Sequence, residues 1–160
     1  MLRWSNRIPI PINLTIRTDD VVRAHSVAIG SDVLILVNKL GGDLKMFVFQ
    51  PDTGQVQEYP TELLTNKNIR SITYHDGNVY IWAYNNNNIR TNFCDQTLYL
   101  LEIPTMNISS LLTMVLDHCR SETPIINGYM YIVENITNEM LVINLETMVV
   151  QSVDLASWTF

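Results

Sequence analysis

The feature that most constrains the fold is an internal repeat, because a similar arrangement of apolar runs and turns occurs three times along the chain. Each unit opens on a turn that contains glycine. It continues with an apolar run, a polar loop and a second apolar run, and it closes on a turn that contains threonine. The opening glycines are Gly30, Gly77 and Gly128, which are about 50 residues apart, and the closing threonines are Thr53, Thr105 and Thr147. A repeat near this length predicts similar structural units that pack side by side.

The apolar runs have the character of β-strands. They are short, rich in β-branched and aromatic residues and bounded by turn residues. Asp76-Gly77 lies between two such runs and strongly favours a tight hairpin. The segment 51–54 contains Pro, Asp and Gly, each of which favours a turn for a separate physical reason. Each unit is therefore predicted to be a meander of four antiparallel strands.

Four-stranded units with this period are typical of the blades of a β-propeller. We predict an all-β fold, a partial propeller of about three four-stranded antiparallel blades that cover residues 25–68, 69–117 and 118–160. Residues 1–24 are predicted to be an extended segment that forms the last strand of a neighbouring blade. Pro9 and Pro11 limit this segment to a sheet edge or a connector, because they cannot donate to a strand ladder. Residues 108–119 are compatible with a strand or a helical turn.

The repeats resemble the kelch family of β-propellers. The resemblance is carried mainly by the first unit, in the order Arg23 to Ser26, the VLILVN strand, Gly41-Gly42, the KMFVFQ strand, Thr53 and Tyr59. The other two units depart from the pattern, since asparagine-rich segments, 85–88 and 135–138, replace the double glycine. The family resemblance implies an adaptor or scaffold domain that presents its loops to other proteins.

Three blades do not close a ring, since propellers have about four to eight blades around a channel. We therefore expect a protein partner or a second copy of the chain to complete the propeller. The two ends carry opposite charge: residues 1–23 hold four of the ten basic residues, whereas residues 121–160 contain no Lys or Arg. Opposite charge steers surfaces together, so Arg3 and Arg7 are candidates for contact with a partner.

Charge and hydropathy limit the other classes of function. The net charge of −6 disfavours binding to nucleic acid, which depends on basic residues that neutralise phosphates. The first 17 residues contain no long apolar run, so they are predicted to form neither a secretory signal nor a membrane span. A cytoplasmic location, with the nucleus as an alternative, is the resulting expectation, and no membrane contact is predicted.

Three histidines lie at or near the first strands of successive units: His25, His75 and His118. Imidazole is a common metal ligand, so these side chains could converge at the centre of a propeller. Their distances along the chain from the turn glycines differ, however, so they are not expected to point alike. Hydrogen bonding to neighbouring loops is the favoured interpretation. The sequence predicts no catalytic residue, no cofactor and no metal site.

The aromatic residues of the second unit leave two interpretations open. Tyr80, Trp82 and Tyr84 alternate onto one face of a predicted strand, where they form either a core between blades or a contact for a partner. The polar loop that follows is a candidate recognition loop, because loops on rigid scaffolds often carry function. The residues selected as candidates for partner contact there are Trp82, Asn86, Asn87, Asn88 and Arg90.

Together these features predict a non-catalytic protein-interaction module, which would be an adaptor, a scaffold or a structural subunit. The alternative is a propeller-type enzyme, an oxidase or a hydrolase, with its site at the centre of the ring. A third possibility for the fold is a β-sandwich, which would pair strands from distant segments instead of neighbouring ones.

Overall fold

The computed structural model describes residues 21–39, 43–85, 93–117, 123–134 and 137–155. Most of the segment 1–24 therefore lies outside the described residues. The described part is built from strands, with one short 3-10 helix at Glu62–Leu64. It contains no helix long and apolar enough to cross a membrane. The strands are β1 Val21–Ile29, β2 Asp32–Lys39, β3 Leu44–Gln50, β4 Gln55–Tyr59, β5 Lys67–His75, β6 Asn78–Asn85, β7 Phe93–Glu102, β8 Asn107–Asp117, β9 Ile125–Ile126, β10 Tyr129–Glu134, β11 Glu139–Asn144 and β12 Val150–Asp154.

These strands form three separate four-stranded sheets, in the orders β1-β2-β3-β4, β5-β6-β7-β8 and β9-β10-β11-β12. We call them blade 1, blade 2 and blade 3. Every strand pairs in an antiparallel manner with its neighbour in sequence, which confirms the predicted partial propeller and is not the pairing expected of a β-sandwich. Of the segment 108–119, for which a helical turn was considered, residues 108–117 belong to the strand β8.

Tight turns between the first two strands of each blade set the register. In blade 2, Asp76 and Gly77 both have positive φ, 47° and 80°. In blade 3, Asn127 and Gly128 have positive φ, 52° and 78°. Positive φ at both central residues matches the right-handed twist of the strands on either side, and Asp, Asn and Gly tolerate it best.

The turns between the third and fourth strands repeat the same hydrogen bonds. In each turn a threonine hydroxyl accepts a hydrogen bond from the backbone N–H two residues further on, over 3.3, 3.3 and 3.4 Å at Thr53, Thr105 and Thr147. The residue after each threonine has positive φ; these residues are Gly54, Met106 and Met148. The two methionines adopt this strained conformation while their side chains pack against the cores.

Two apolar cores lie between adjacent blades. One side of β6 packs on blade 1 through Val79 and Ile81, and the other side packs on blade 3 through Tyr80 and Trp82. Because successive residues of a strand point to opposite faces, a run that is apolar at every position can serve both cores. Blade 2 is thereby buried on both faces.

Candidate functional site

The most informative polar region lies where the first strands of the three blades approach one another. Among the described strands, β1 and β5 make the most extensive contact between different blades, as expected when blades are arranged around an axis. A cleft of about 340 Å³ lies beside them. We call it the inner cleft; it is lined by His25, Ser26, Arg70, Ser71, Ile72, Thr73, Thr123 and Pro124. Its volume is at the lower end of the range for small-molecule sites, about 300–1,000 Å³.

His25 is the titratable group of this cleft with the clearest shift. Its Nε2 atom is buried and makes no hydrogen bond. Burial lowers the pKa of His25, and the positive charges of Arg23 and Arg70 lower it further, whereas a hydrogen bond with the backbone of Ile69 acts in the opposite direction. The imidazole is therefore neutral near pH 7.

Arg70 enters the cleft region from an irregular position in its strand. In the pairing of β5 with β6, the register shifts between Ile69 and Ser71, so Arg70 is the extra residue of a β-bulge. A bulge redirects side chains and is common beside functional sites. The guanidinium of Arg70 lies over the ring of Tyr84, 4.2 Å from its centre. This cation–π contact holds the positive charge in place.

Two hydroxyl groups connect blades 2 and 3 across the cleft. The Oγ atom of Ser71 is hydrogen-bonded to Oγ1 of Thr123. Thr123 precedes β9 and is only 2% exposed, so a buried polar group is satisfied by a partner from another blade. The cleft thus combines a neutral imidazole, a fixed cation and hydroxyl groups. This set can transfer protons and orient a polar ligand.

The structure places Trp82 in the core, so the surface role considered for it is wrong. Trp82 is 0% exposed, and its Nε1–H donates to Oε1 of Gln96 over 2.5 Å. A fully buried side chain fills space between blades 2 and 3 and cannot reach a partner. Tyr80 shares this core, and Tyr84 carries the contact with Arg70.

The other candidates for partner contact lie outside the described residues. They are Arg3, Arg7, Asn86, Asn87, Asn88 and Arg90. Their role in partner binding stays a prediction.

The histidines considered as metal ligands do not form one described site. His25 lines the inner cleft, whereas His75 ends β5, where its ring lies 6.4 Å from that of Tyr80. His118 lies outside the described residues. Within the described residues, no group of three or more His, Cys, Asp or Glu side chains could hold a metal ion.

The sequence did not indicate that Ser71, Thr123 and Arg70 are site residues. The available signal was their position, because each lies in or just before the first strand of its unit. The bulge at Arg70 and the packing between blades place these residues on the same cleft as His25. Neither feature can be recognised in the sequence.

Comparisons with known proteins support the fold. No protein-family model matches the chain, and no curated protein matches it. Among solved structures, the chain is similar to a mutant of the GH43 protein BlXynB from Bacillus licheniformis, with a TM-score of 0.53 and 15% sequence identity. The match covers 85% of this chain and 31% of that protein, so the chain spans about a third of its length. That protein is a five-bladed β-propeller.

This similarity corrects the expected function. The prediction of a non-catalytic interaction module depended on the resemblance to kelch adaptors, but the similar solved structure is a propeller glycoside hydrolase. It supports a propeller-like fold without supporting kelch repeats in particular. The prediction that the chain is not an enzyme also loses its support.

Proposed function

We propose that the chain supplies blades to a propeller-type hydrolase whose reaction site is the inner cleft. The observation that carries this proposal is His25, a neutral histidine whose buried Nε2 has no hydrogen-bond partner and which lines a cleft between three blades. Propeller enzymes with a site near the ring axis provide the precedent, and the similar GH43 structure belongs to a hydrolase.

His25 acts as the general base. Its Nε2 accepts a proton from a water molecule while the water oxygen forms a bond to the electrophilic carbon of the substrate. The bond from that carbon to the leaving oxygen then breaks, and the leaving oxygen takes the proton back from Nε2. Positioned imidazole bases of this kind contribute about 10²–10⁴-fold to the rate.

An ester is the substrate type that suits this set of groups. A glycosidic bond is usually cleaved by a pair of carboxyl groups, whereas the described lining of the cleft offers imidazole, guanidinium and hydroxyl groups. An acyl carbon is attacked directly by water once a base removes the proton. Ser71 and Thr123 line the same cleft. Their hydroxyls are hydrogen-bonded to each other, so one of the two hydroxyl hydrogens remains to donate to the carbonyl oxygen as negative charge develops there.

The test compares hydrolysis of a panel of p-nitrophenyl esters and p-nitrophenyl glycosides by the purified chain. We expect hydrolysis of at least one ester, and we expect His25→Gln to reduce kcat by about 10²-fold or more. His75→Gln is the matched control, because His75 lies outside the cleft, and it should leave the rate unchanged. Equal ester hydrolysis by the wild type and His25→Gln would overturn the proposal, as would hydrolysis of glycosides alone or of neither class.

A further inference from the structure

The inner cleft lies between strands whose charge is opposite to that of the whole chain. The chain has a net charge of −6. However, β1 and β5, the first strands of blades 1 and 2, contain Arg23, Lys67 and Arg70 and no Asp or Glu. A cleft bordered by charges of one sign concentrates their field and attracts ligands of the opposite sign. The charge of these two strands therefore favours a negatively charged ligand.

The lining of the cleft follows the same pattern. Among the described residues that line it, Arg70 carries a positive charge and none is Asp or Glu. The other polar groups of the lining are the imidazole of His25 and the hydroxyls of Ser26, Ser71, Thr73 and Thr123. Guanidinium and hydroxyl groups donate hydrogen bonds to the oxygens of carboxylates and phosphates, and the bonds from guanidinium are strengthened by its charge. The lining can therefore hold an anion.

Arg70 presents its positive charge at a fixed place. It is the extra residue of the bulge in β5, and its guanidinium lies over the ring of Tyr84, 4.2 Å from the ring centre. A side chain that is already held in place loses less conformational freedom when it binds a ligand. The N–H groups of arginine also match the two oxygens of a carboxylate or phosphate in geometry. Arg70 is thus the residue of the cleft best suited to recognise an anionic group.

A second positive charge lies beside the cleft. Arg23 and His25 are two residues apart on β1, so their side chains lie on the same face of the strand. Burial has the largest effect in lowering the pKa of His25, and the charges of Arg23 and Arg70 lower it further. Both cations therefore act at the position of the imidazole. A ligand that reaches His25 enters a positive field, which favours a negative charge on that ligand.

We propose that the inner cleft binds an anionic group, a carboxylate or a phosphate, through Arg70, and that its substrate is a small ester carrying such a group. The ester part rests on the proposed function, whereas the anion site does not depend on hydrolysis. Arg70 holds the anionic group, and the ester carbonyl lies at His25. The cleft volume of about 340 Å³ limits the ligand to a small molecule.

The kinetic test compares esters that differ in charge. p-Acetoxybenzoate and p-acetoxybenzamide have nearly the same shape, but only the first is an anion; p-acetoxyphenyl phosphate carries a phosphate instead. Each kcat/KM is divided by the rate of hydrolysis in buffer, which corrects for the reactivity of the ester. We expect the wild type to prefer at least one anion over the amide by about 10-fold or more, because hydrogen bonds to charged groups are stronger. The larger preference distinguishes carboxylate from phosphate.

Two variants assign this preference to the cleft. Arg70→Gln should abolish it, because glutamine keeps donors but lacks the positive charge. Lys45→Gln is the matched control, since it also removes one positive charge, from an exposed ion pair of blade 1 that lies outside the cleft. It should retain the preference of the wild type. Equal preferences in the wild type and Arg70→Gln would overturn the role of Arg70.

Calorimetric titration with benzoate, inorganic phosphate and neutral benzamide, at constant ionic strength, tests the anion site without a reaction. We expect at least one anion to bind the wild type and Lys45→Gln, and Arg70→Gln to bind it about 10-fold more weakly or less. If Arg70→Gln does not fold, the wild type decides, because anions that bind no more tightly than benzamide would overturn the proposal.

The two measurements separate this proposal from the proposed hydrolase. Anion binding that depends on Arg70, together with no hydrolysis of any ester, would support the anion site and overturn the hydrolase and the ester substrate. Ester hydrolysis that depends on His25 but shows no preference for a charged ester, with no anion binding, would support the hydrolase and overturn this proposal.

Discussion

The buried pair Trp82 and Gln96 provides the sharpest test of the packing between blades. Both side chains are essentially unexposed, and the indole N–H donates to the amide oxygen over 2.5 Å. Trp82→Phe keeps an aromatic ring in the core but removes the donor and part of the ring volume. Gln96→Leu removes the acceptor instead. The double variant removes both partners at once.

The expected cost follows from these contacts. Loss of the donor leaves the amide oxygen without this partner in the core, which costs about 1–3 kcal/mol. The smaller ring leaves unfilled volume, which we estimate at about 1–2 kcal/mol. Trp82→Phe should therefore lower the free energy of unfolding by about 2–5 kcal/mol, a large part of the total of about 5–15 kcal/mol typical of a domain. In the double variant the two costs should not add, and the shortfall should be about 1–2 kcal/mol.

The assay is urea unfolding followed by far-ultraviolet circular dichroism, which does not depend on the tryptophan signal. Tyr74→Phe is the control, because Tyr74 is 40% exposed, and it should change the free energy by no more than about 0.5 kcal/mol. A cost of less than about 1 kcal/mol for Trp82→Phe would contradict a buried indole hydrogen bond and close packing at this position. Strict additivity in the double variant would show that the hydrogen bond contributes nothing.

Three further results are expected. Gly77→Ala should lower the free energy of unfolding by about 1–2 kcal/mol, because φ is +80° there and an L-residue is strained in that conformation. No atom lies close to the added Cβ, so crowding adds no further cost. A thermal melt with no shift would contradict this. The pKa of His25 is lowered from 6.5 in the folded chain, so the unfolded chain binds the proton more readily. The free energy of unfolding should therefore be highest above pH 6.5 and should decrease as the pH falls from 6.5 through the pKa of the folded chain. His25→Gln should flatten that part of the pH profile of the melting temperature, and an unchanged profile would exclude His25 as the cause. Lys45→Ala removes the exposed ion pair with Glu58 and should lower the free energy of unfolding by less than about 1 kcal/mol, because solvent screens the pair. A larger decrease would contradict this.

The inner cleft could not be predicted from the sequence for a physical reason. The resemblance to kelch repeats depends on turns and strand order, which many propellers share. It gives no information about the side chains that lie near the propeller axis. The inner cleft depends on β5 being bulged at Arg70 and on Ser71 meeting Thr123 from another blade. Such contacts join residues that are far apart in the chain, so no local pattern predicts them.

By itself, the sequence determined the strands, their order and their turns. Turn chemistry at Asp76-Gly77 and at the repeated threonines depends on a few consecutive residues, and short β-branched runs determine the strand type. Only the tertiary structure decided which faces are covered. A run such as 79–83 is apolar on both sides, so alternation alone cannot distinguish the buried Trp82 from the exposed Val133 at the same register position. That difference arises because a neighbouring blade is present in one case and absent from the described residues in the other.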